Sequence, residues 1–215
     1  MDNSNCPTGK QTNWECFAMN AGTKRKVVPM IEKQRARLLE ILKKKAVLYG
    51  DFVLASGKTS SYYIDGRLVT LEPEGAYLMA RLILDTLKDD SVDAVGGPTL
   101  GADPIVGATI AASYLAGRPL LGFIVRKAEK MHGTQKRIEG PLREGLRVAI
   151  LEDVITTGNS VLEAIHEVER AGAKVVRVIP VVDRLKGARE LLTSKGYAYT
   201  PLFTRRDLGI GEDSS

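Results

Sequence analysis

The sequence predicts an α/β fold with a central parallel sheet flanked by helices. Three observations predict it. The 215 residues, 44% of them hydrophobic and 27% charged, can bury the core of one such domain. Patterns typical of strands and helices alternate from residue 92 to residue 195. Polar, glycine-containing loops follow the strands, as they do in open sheets that bind ligands at the carboxyl ends of their strands.

The first part of the chain precedes this alternation. Residues 1–29 contain no continuous apolar run, so we expect no secretory signal and a disordered extension there. Apolar residues at helical spacing predict a helix over 31–46. Short strand-like runs between serine and glycine residues predict a small β-rich element, and a helix follows over 74–88. We therefore expect a single domain over residues 30–215.

The alternating part supplies the sheet. Strands are predicted at 92–95, 120–125, 146–151 and 175–182, and helices at about 104–116, 160–171 and 188–195. Because parallel strands end at the same edge, the loops that follow them should meet there. These loops are 96–103, 126–145 and 152–160, together with Asp183 and Arg184.

Composition excludes some classes of protein. No apolar stretch approaches the roughly 20 residues needed to cross a bilayer, so no membrane contact is expected. Cys6 and Cys16 both lie in the leader and are poor evidence for a disulfide, which fits a reducing cytoplasm. The net charge of +5 permits contact with nucleic acid or with a highly anionic small molecule. A basic cluster between two predicted strands is the feature to explain: Arg126, Lys127, Lys130, Lys136 and Arg137.

The stretch VAILEDVITTGNSVLEAI, residues 148–165, places two acids and a hydroxyl-rich turn after an apolar strand. The turn precedes a predicted helix, whose first N–H groups carry partial positive charge and can bind phosphate. Glu152 and Asp153 would repel a phosphate, so they suit hydroxyl groups or a hard cation on another part of the same ligand. A sugar phosphate satisfies both halves. The turn consists of Thr156, Thr157, Gly158, Asn159 and Ser160.

A simple helix cap formed by Asp153 or Thr157 is the alternative interpretation of this stretch. It leaves the paired acids unexplained. The chain has no Walker sequence and no Gly-x-Gly-x-x-Gly after a strand, which disfavours P-loop and dinucleotide-binding sites.

The segment ILEDVITTGNS, residues 150–160, resembles the signature with which type I phosphoribosyltransferases bind 5-phosphoribosyl 1-pyrophosphate (PRPP). The resemblance implies that Glu152 and Asp153 hold the ribose 2- and 3-hydroxyls and that residues 156–160 wrap the 5-phosphate. It also implies the type I phosphoribosyltransferase fold, with a small β-rich amino-terminal hood at about residues 30–70.

Three further stretches resemble the orotate-specific members of that family. LASGKTSSYYIDGR (54–67) is similar to part of the hood, VRKAEKMHG (125–133) to a mobile catalytic loop, and VVDRLKGA (181–188) to a strand end whose arginine meets orotate. The implied reaction joins orotate to the ribose of PRPP and releases pyrophosphate, as in pyrimidine nucleotide biosynthesis. Orotate would contact Thr156 and Arg184, while Tyr63 either contacts the base or packs within the hood.

The basic loop suits the leaving group of this reaction. Negative charge builds on departing pyrophosphate, so cations beside it stabilise the change. Lys130 or His132 could also donate a proton, which makes these two and Asp153 the catalytic candidates. Mg²⁺ would bridge pyrophosphate and ribose oxygens and keep most of its waters, without direct ligation by the protein. The PRPP-binding cations would be Arg126, Lys127, Lys130 and His132.

The sequence departs from a common pattern of the orotate enzymes. Thr99 and Leu100 stand where many carry Tyr-Lys, and Ala55 stands where many carry lysine before Ser-Gly. Both lysines contact substrate in the family, so the chain lacks two such contacts.

The resemblance also implies a homodimer, because the family's mobile loop reaches into the neighbouring subunit's site. Two alternatives remain open. One is a phosphoribosyltransferase for another base, such as a purine. The other is a regulator that senses PRPP and binds nucleic acid, although the leader is too short and irregular for a helix-turn-helix. We expect no nucleic-acid partner.

Overall fold

The structure, a computed structural model, describes residues 29–53, 59–127 and 137–211. The disordered extension is expected at residues 1–29, and residues 1–28 of it lie outside the described residues. Within it the helices are α1 (Met30–Lys45), α2 (Arg67–Thr70), α3 (Pro73–Thr86), α4 (Ala102–Leu115), α5 (Asn159–Arg170) and α6 (Ala188–Ser194). The strands are β1 (Val47–Val53), β2 (Thr59–Ile64), β3 (Ala94–Pro98), β4 (Leu121–Val125), β5 (Ile138–Glu139), β6 (Arg147–Ile155), β7 (Lys174–Asp183) and β8 (Phe203–Thr204).

Six strands form the central sheet of the described residues, in the order β5-β4-β3-β6-β7-β8. All neighbouring pairs are parallel except β4 and β5, which are antiparallel. The predicted central parallel sheet is therefore confirmed. The short strands β5 and β8 lie at the two edges, and the sequence patterns do not predict either of them.

Helices cover both faces of the sheet, and alternate residues of β6 supply the two cores. Ala149 and Leu151 pack in the core that includes α1, α3 and α4, whereas Val148 and Ile150 pack in the core that includes α5. This alternation follows from the two-residue period of a strand. Because both faces are buried, the central strands read as nearly continuous apolar runs.

Strand β6 is longer than its sequence predicts. The predicted strand ends at Leu151, but pairing with β7 continues through Val154 and Ile155, opposite Val182 and Asp183. The two acids therefore lie inside the last part of β6 and are not in the loop after it. The sequence does not predict this extension of β6, because acids are uncommon in the interior of a strand.

The predicted β-rich element is an antiparallel hairpin of β1 and β2. Tyr62 of β2 is buried in the same core as α1, so the hairpin is fixed to the body of the domain. Tyr63, the next residue, points to the opposite face, and its ring lies 5.7 Å from that of Phe52. Among the described residues, no helix combines the length and the apolar character that a membrane crossing requires.

Candidate active site

A cavity of about 290 Å³ opens at the carboxyl ends of β3, β6 and β7, below the hairpin. This is where an open parallel sheet binds ligands. Another cavity, of about 310 Å³, involves Val92 and Leu120, just before β3 and β4, and so lies at the opposite edge of the sheet. The first cavity is lined by Tyr63, Ile64, Asp65, Arg67, Pro98, Thr99, Leu100, Gly101, Lys127, Glu152, Asp153, Val154, Thr156, Ser160 and Arg184.

Glu152 and Asp153 form the acidic floor of this cavity. Adjacent strand residues normally point to opposite faces, yet both of these side chains line the same space. The strand backbone holds their carboxylates: the N–H of Asp153 donates to Glu152 Oε1 at 3.1 Å, and the N–H of Val154 donates to Asp153 Oδ1 at 2.7 Å. The remaining lone pairs can accept hydrogen bonds from two neighbouring hydroxyl groups of a ligand.

Glu152 is 9% exposed, which makes its ionisation costly. Burial first, and then the negative charge of Asp153, raises the pKa of its carboxyl well above the ordinary value of 4.5. Lys127 opposes this shift only weakly. Among the charges that act on Glu152, the neighbouring acid therefore outweighs the lysine.

Replacing Glu152 with glutamine is expected to remove a pH dependence of stability. Since the folded-state pKa is raised, the folded protein keeps a proton that the unfolded chain releases. Wild-type stability should therefore fall as pH rises from about 4.5 through the raised pKa, while the glutamine variant should not show this loss. Urea unfolding of both proteins across that range measures the difference. Parallel curves for the two proteins would contradict the assignment.

The hydroxyl-rich turn surrounds a second, smaller cavity of about 130 Å³ next to the first. Gly158 in this turn has φ 87°, which a residue with a side chain adopts only with strain. Helix α5 begins directly after it, and no side chain caps its amino terminus. The first N–H groups of the helix are thus available to an anion. The residues lining this cavity are Glu152, Val154, Ile155, Thr156, Thr157, Gly158, Asn159, Ser160 and Val161.

Arg184 supplies a cation where the cavity meets the end of β7. It is only 6% exposed, and its guanidinium carbon lies 5.2 Å from the centre of the Tyr62 ring. This stacking orients the guanidinium and leaves its hydrogen-bonding edge for a planar anion. Tyr63 lines the same cavity. Tyr63 and Arg184, the two residues that the orotate-like stretches suggest for contact with the base, therefore both lie at this cavity.

The first two residues of the basic loop lie between two cavities. Lys127 lines both the main cavity and a neighbouring cavity of about 160 Å³. Arg126 and Ser160 also line the neighbouring cavity. Arg137 holds these first two residues of the loop together: its guanidinium donates to the carbonyl oxygens of Arg126 at 3.2 Å and Lys127 at 3.1 Å. The same guanidinium pairs with Glu167 of α5 at 2.8 Å. Lys130 and His132 lie outside the described residues, and so does Ala55.

Two charged residues of the cavity are missing from the sequence-based site. Arg67 makes a two-point ion pair with Asp65, at 2.9 and 3.1 Å, and both side chains line the cavity. The Asp65 carboxylate raises the pKa of Arg67, and Asp153 adds a smaller contribution. An acid and a base separated by one glycine, directly after the aromatic end of a strand, are the sequence signal that could have found them. Thr99 and Leu100 line the cavity as well, without the lysine that many orotate enzymes carry.

Comparison with known proteins identifies the family. The model of the phosphoribosyl transferase domain matches residues 70–196. An orotate phosphoribosyltransferase of Synechocystis sp. is 47% identical over 175 residues, 81% of this chain and 88% of that protein. That of Aquifex aeolicus is 41% identical over 182 residues, 83% of this chain and all of that protein.

Solved structures agree with the sequence comparison. The crystal structure of orotate phosphoribosyltransferase from Mycobacterium tuberculosis in complex with Fe(III) dicitrate has a TM-score of 0.75 and 42% identity, and covers 82% of this chain and 99% of that one. The enzyme from the same organism in complex with PRPP has a TM-score of 0.71 and 38% identity, with the same coverage. The resemblance drawn from the sequence is thus confirmed, and the chain belongs to the orotate phosphoribosyltransferases, with the type I phosphoribosyltransferase fold.

Proposed function

We propose that this protein transfers the phosphoribosyl group of PRPP to orotate, giving orotidine 5-monophosphate and pyrophosphate in pyrimidine nucleotide biosynthesis. One observation carries the proposal: the paired acids, the uncapped amino terminus of α5 and the buried guanidinium of Arg184 surround two adjoining cavities. These are the groups that ribose hydroxyls, a terminal phosphate and a carboxylate-bearing base require. The family to which the chain belongs supports the same assignment.

In the reaction, the bond between the anomeric carbon and pyrophosphate breaks, and a bond from that carbon to a ring nitrogen of orotate forms. That nitrogen loses its N–H proton to solvent. Positive charge develops on the ribose, and the adjacent carboxylates of Glu152 and Asp153 stabilise that charge. Negative charge develops on pyrophosphate, where Lys127 lies at the cavity wall. We assign proton donation to pyrophosphate to Lys130 or His132, on the resemblance of their loop alone.

Magnesium fits this cavity as part of the substrate. The resemblance implies an ion that is held by oxygens of the substrate and by water, without direct ligation by the protein. Glu152 and Asp153 could then accept hydrogen bonds from its waters. When bound, magnesium would neutralise charge on the pyrophosphate. It would add to the positive charge that Lys127 brings to the cavity wall.

We also propose a homodimer with shared sites in the cytoplasm. Large apolar side chains are exposed on the hairpin, on α2 and the residue after it, on α3 and at the cavity, and a second copy of the chain would cover them. They include Tyr49, Val53, Leu68, Leu71, Tyr77 and Leu100. A neighbouring subunit would also bring its own basic loop to this edge.

A comparison of bases tests the proposed reaction. With PRPP and magnesium, we expect turnover of orotate and none comparable with adenine, hypoxanthine or uracil, because only orotate presents a carboxylate to Arg184. Removal of magnesium by a chelator should abolish turnover. Activity confined to a purine would replace orotate with that base, and salt-dependent duplex binding without any turnover would favour a nucleic-acid-binding regulator.

A further inference from the structure

Asp183 is a buried carboxylate that the proposed reaction does not use. It is the last residue of β7, it has no exposed surface, and it does not line the cavity, although the next residue, Arg184, does. A charged group is rarely placed in the interior unless its hydrogen bonds are needed there. The contacts of Asp183 indicate what it does.

The first contact fixes the backbone just after Arg184. Asp183 Oδ1 accepts a hydrogen bond from the N–H of Leu185 at 2.7 Å. Leu185 has φ 55°, and among the described residues it alone has positive φ without being glycine. Leucine adopts this conformation unfavourably, so it needs a local contact to hold it. The Asp183 carboxylate provides that contact.

Further contacts fix the two sides of Arg184. Its own N–H donates to the carbonyl oxygen of Ile155 at 3.0 Å, and its guanidinium stacks on Tyr62. On the other side of Asp183, the N–H of Arg205 donates to the carbonyl oxygen of Asp183 at 2.8 Å. The turn from Asp183 to Leu185 is thus held from β6, from β2 and from the residue that follows β8.

We propose that Asp183 is a positioning residue for base recognition, which holds the Arg184–Leu185 turn so that the guanidinium meets the carboxylate of orotate. This inference rests on the proposed function. Without the carboxylate, Leu185 would relax towards negative φ, and the change would rotate the backbone that carries Arg184. The KM for orotate would therefore rise more than the KM for PRPP, because the phosphate of PRPP would bind at the end of the neighbouring strand, β6.

Steady-state kinetics with each substrate varied test the proposal. Asp183→Ala should raise the KM for orotate by about 10-fold or more, towards the value for Arg184→Ala, and change the KM for PRPP by less than about 3-fold. Asp183→Asn should retain most of the wild-type KM for orotate, because its amide oxygen can still accept the Leu185 N–H. Asp183→Ala with Leu185→Gly should recover part of the loss, because glycine adopts positive φ freely.

Asp90→Asn is the matched control. Asp90 forms an ion pair, at 2.5 and 3.1 Å, with Arg177, which lies in β7 as Asp183 does, and neither residue of the pair lines the cavity. This variant should lower stability without separating the two KM values. Equal changes in both KM values for Asp183→Ala, or a loss for Asp183→Asn as large as for Asp183→Ala, would overturn the positioning role. If Asp183→Ala does not fold, the asparagine and the double variant decide. Absence of orotate turnover in the wild type would instead overturn the proposed function.

Discussion

Asp153→Asn is expected to lower kcat by about 10²- to 10³-fold with little change in stability. Asp153 lies near the end of β6 and lines the cavity, so the substitution keeps the volume and removes the charge. In the proposed reaction, the lost charge is one that would stabilise the positive ribose as the pyrophosphate bond breaks. Steady-state turnover and thermal unfolding of the variant measure the two quantities separately.

Asp85→Asn is the control for this experiment. Asp85 lies in α3, pairs with Lys88 at 3.4 Å on the surface and does not line the cavity at the carboxyl ends of the strands. This variant should keep wild-type turnover. Wild-type kinetics for Asp153→Asn would remove Asp153 from the site, and a large fall in unfolding temperature would show that its role is structural.

Gly101→Ala is expected to reduce kcat/KM for PRPP by about 10²-fold, because a small displacement of binding groups is enough for such a loss. A methyl group at this position would lie 2.5 Å from Glu152 Oε1 and closer still to Asp153 Oδ1. Both carboxylates would have to move away from the positions in which we propose that they bind the ribose hydroxyls. Kinetics with PRPP varied at saturating orotate measure the effect.

Gly107→Ala separates this contact from the general effect of replacing a glycine. Gly107 lies within α4, the helix that begins directly after Gly101, and a methyl group there would meet no atom within 4 Å apart from its chain neighbours and the backbone of its own helix. The control should retain wild-type kinetics and gain slightly in stability, by about 0.5–1 kcal/mol. Similar kinetics for the two alanine variants would mean that Gly101 does not shape the floor of the cavity.

The sequence predicts the sheet because buried parallel strands and amphipathic helices have distinct apolar periods. Its loops predict the carboxyl edge as the ligand-binding edge, and the hydroxyl-rich turn predicts a phosphate site from elementary chemistry. The role expected of Arg184 depends on the resemblance, since one arginine after a strand carries no chemical signal of its own. The structure adds that this arginine is buried and stacked on Tyr62.

Other parts of the site depend on tertiary contacts that no local pattern contains. Asp65 and Arg67 reach the cavity because the hairpin packs over the sheet, and the continuation of β6 through its acids depends on pairing with β7. The turn at Leu185 is similar, because nothing about leucine predicts positive φ. Its conformation follows from a carboxylate two residues earlier that is buried in the folded chain.

A crystal structure with PRPP and magnesium tests the central claim most directly. We expect the ribose hydroxyls within hydrogen-bonding distance of the Glu152 and Asp153 carboxylates, and the 5-phosphate among Thr156–Ser160 at the amino terminus of α5. A ribose bound away from the two acids, or a phosphate bound outside that turn, would contradict the account.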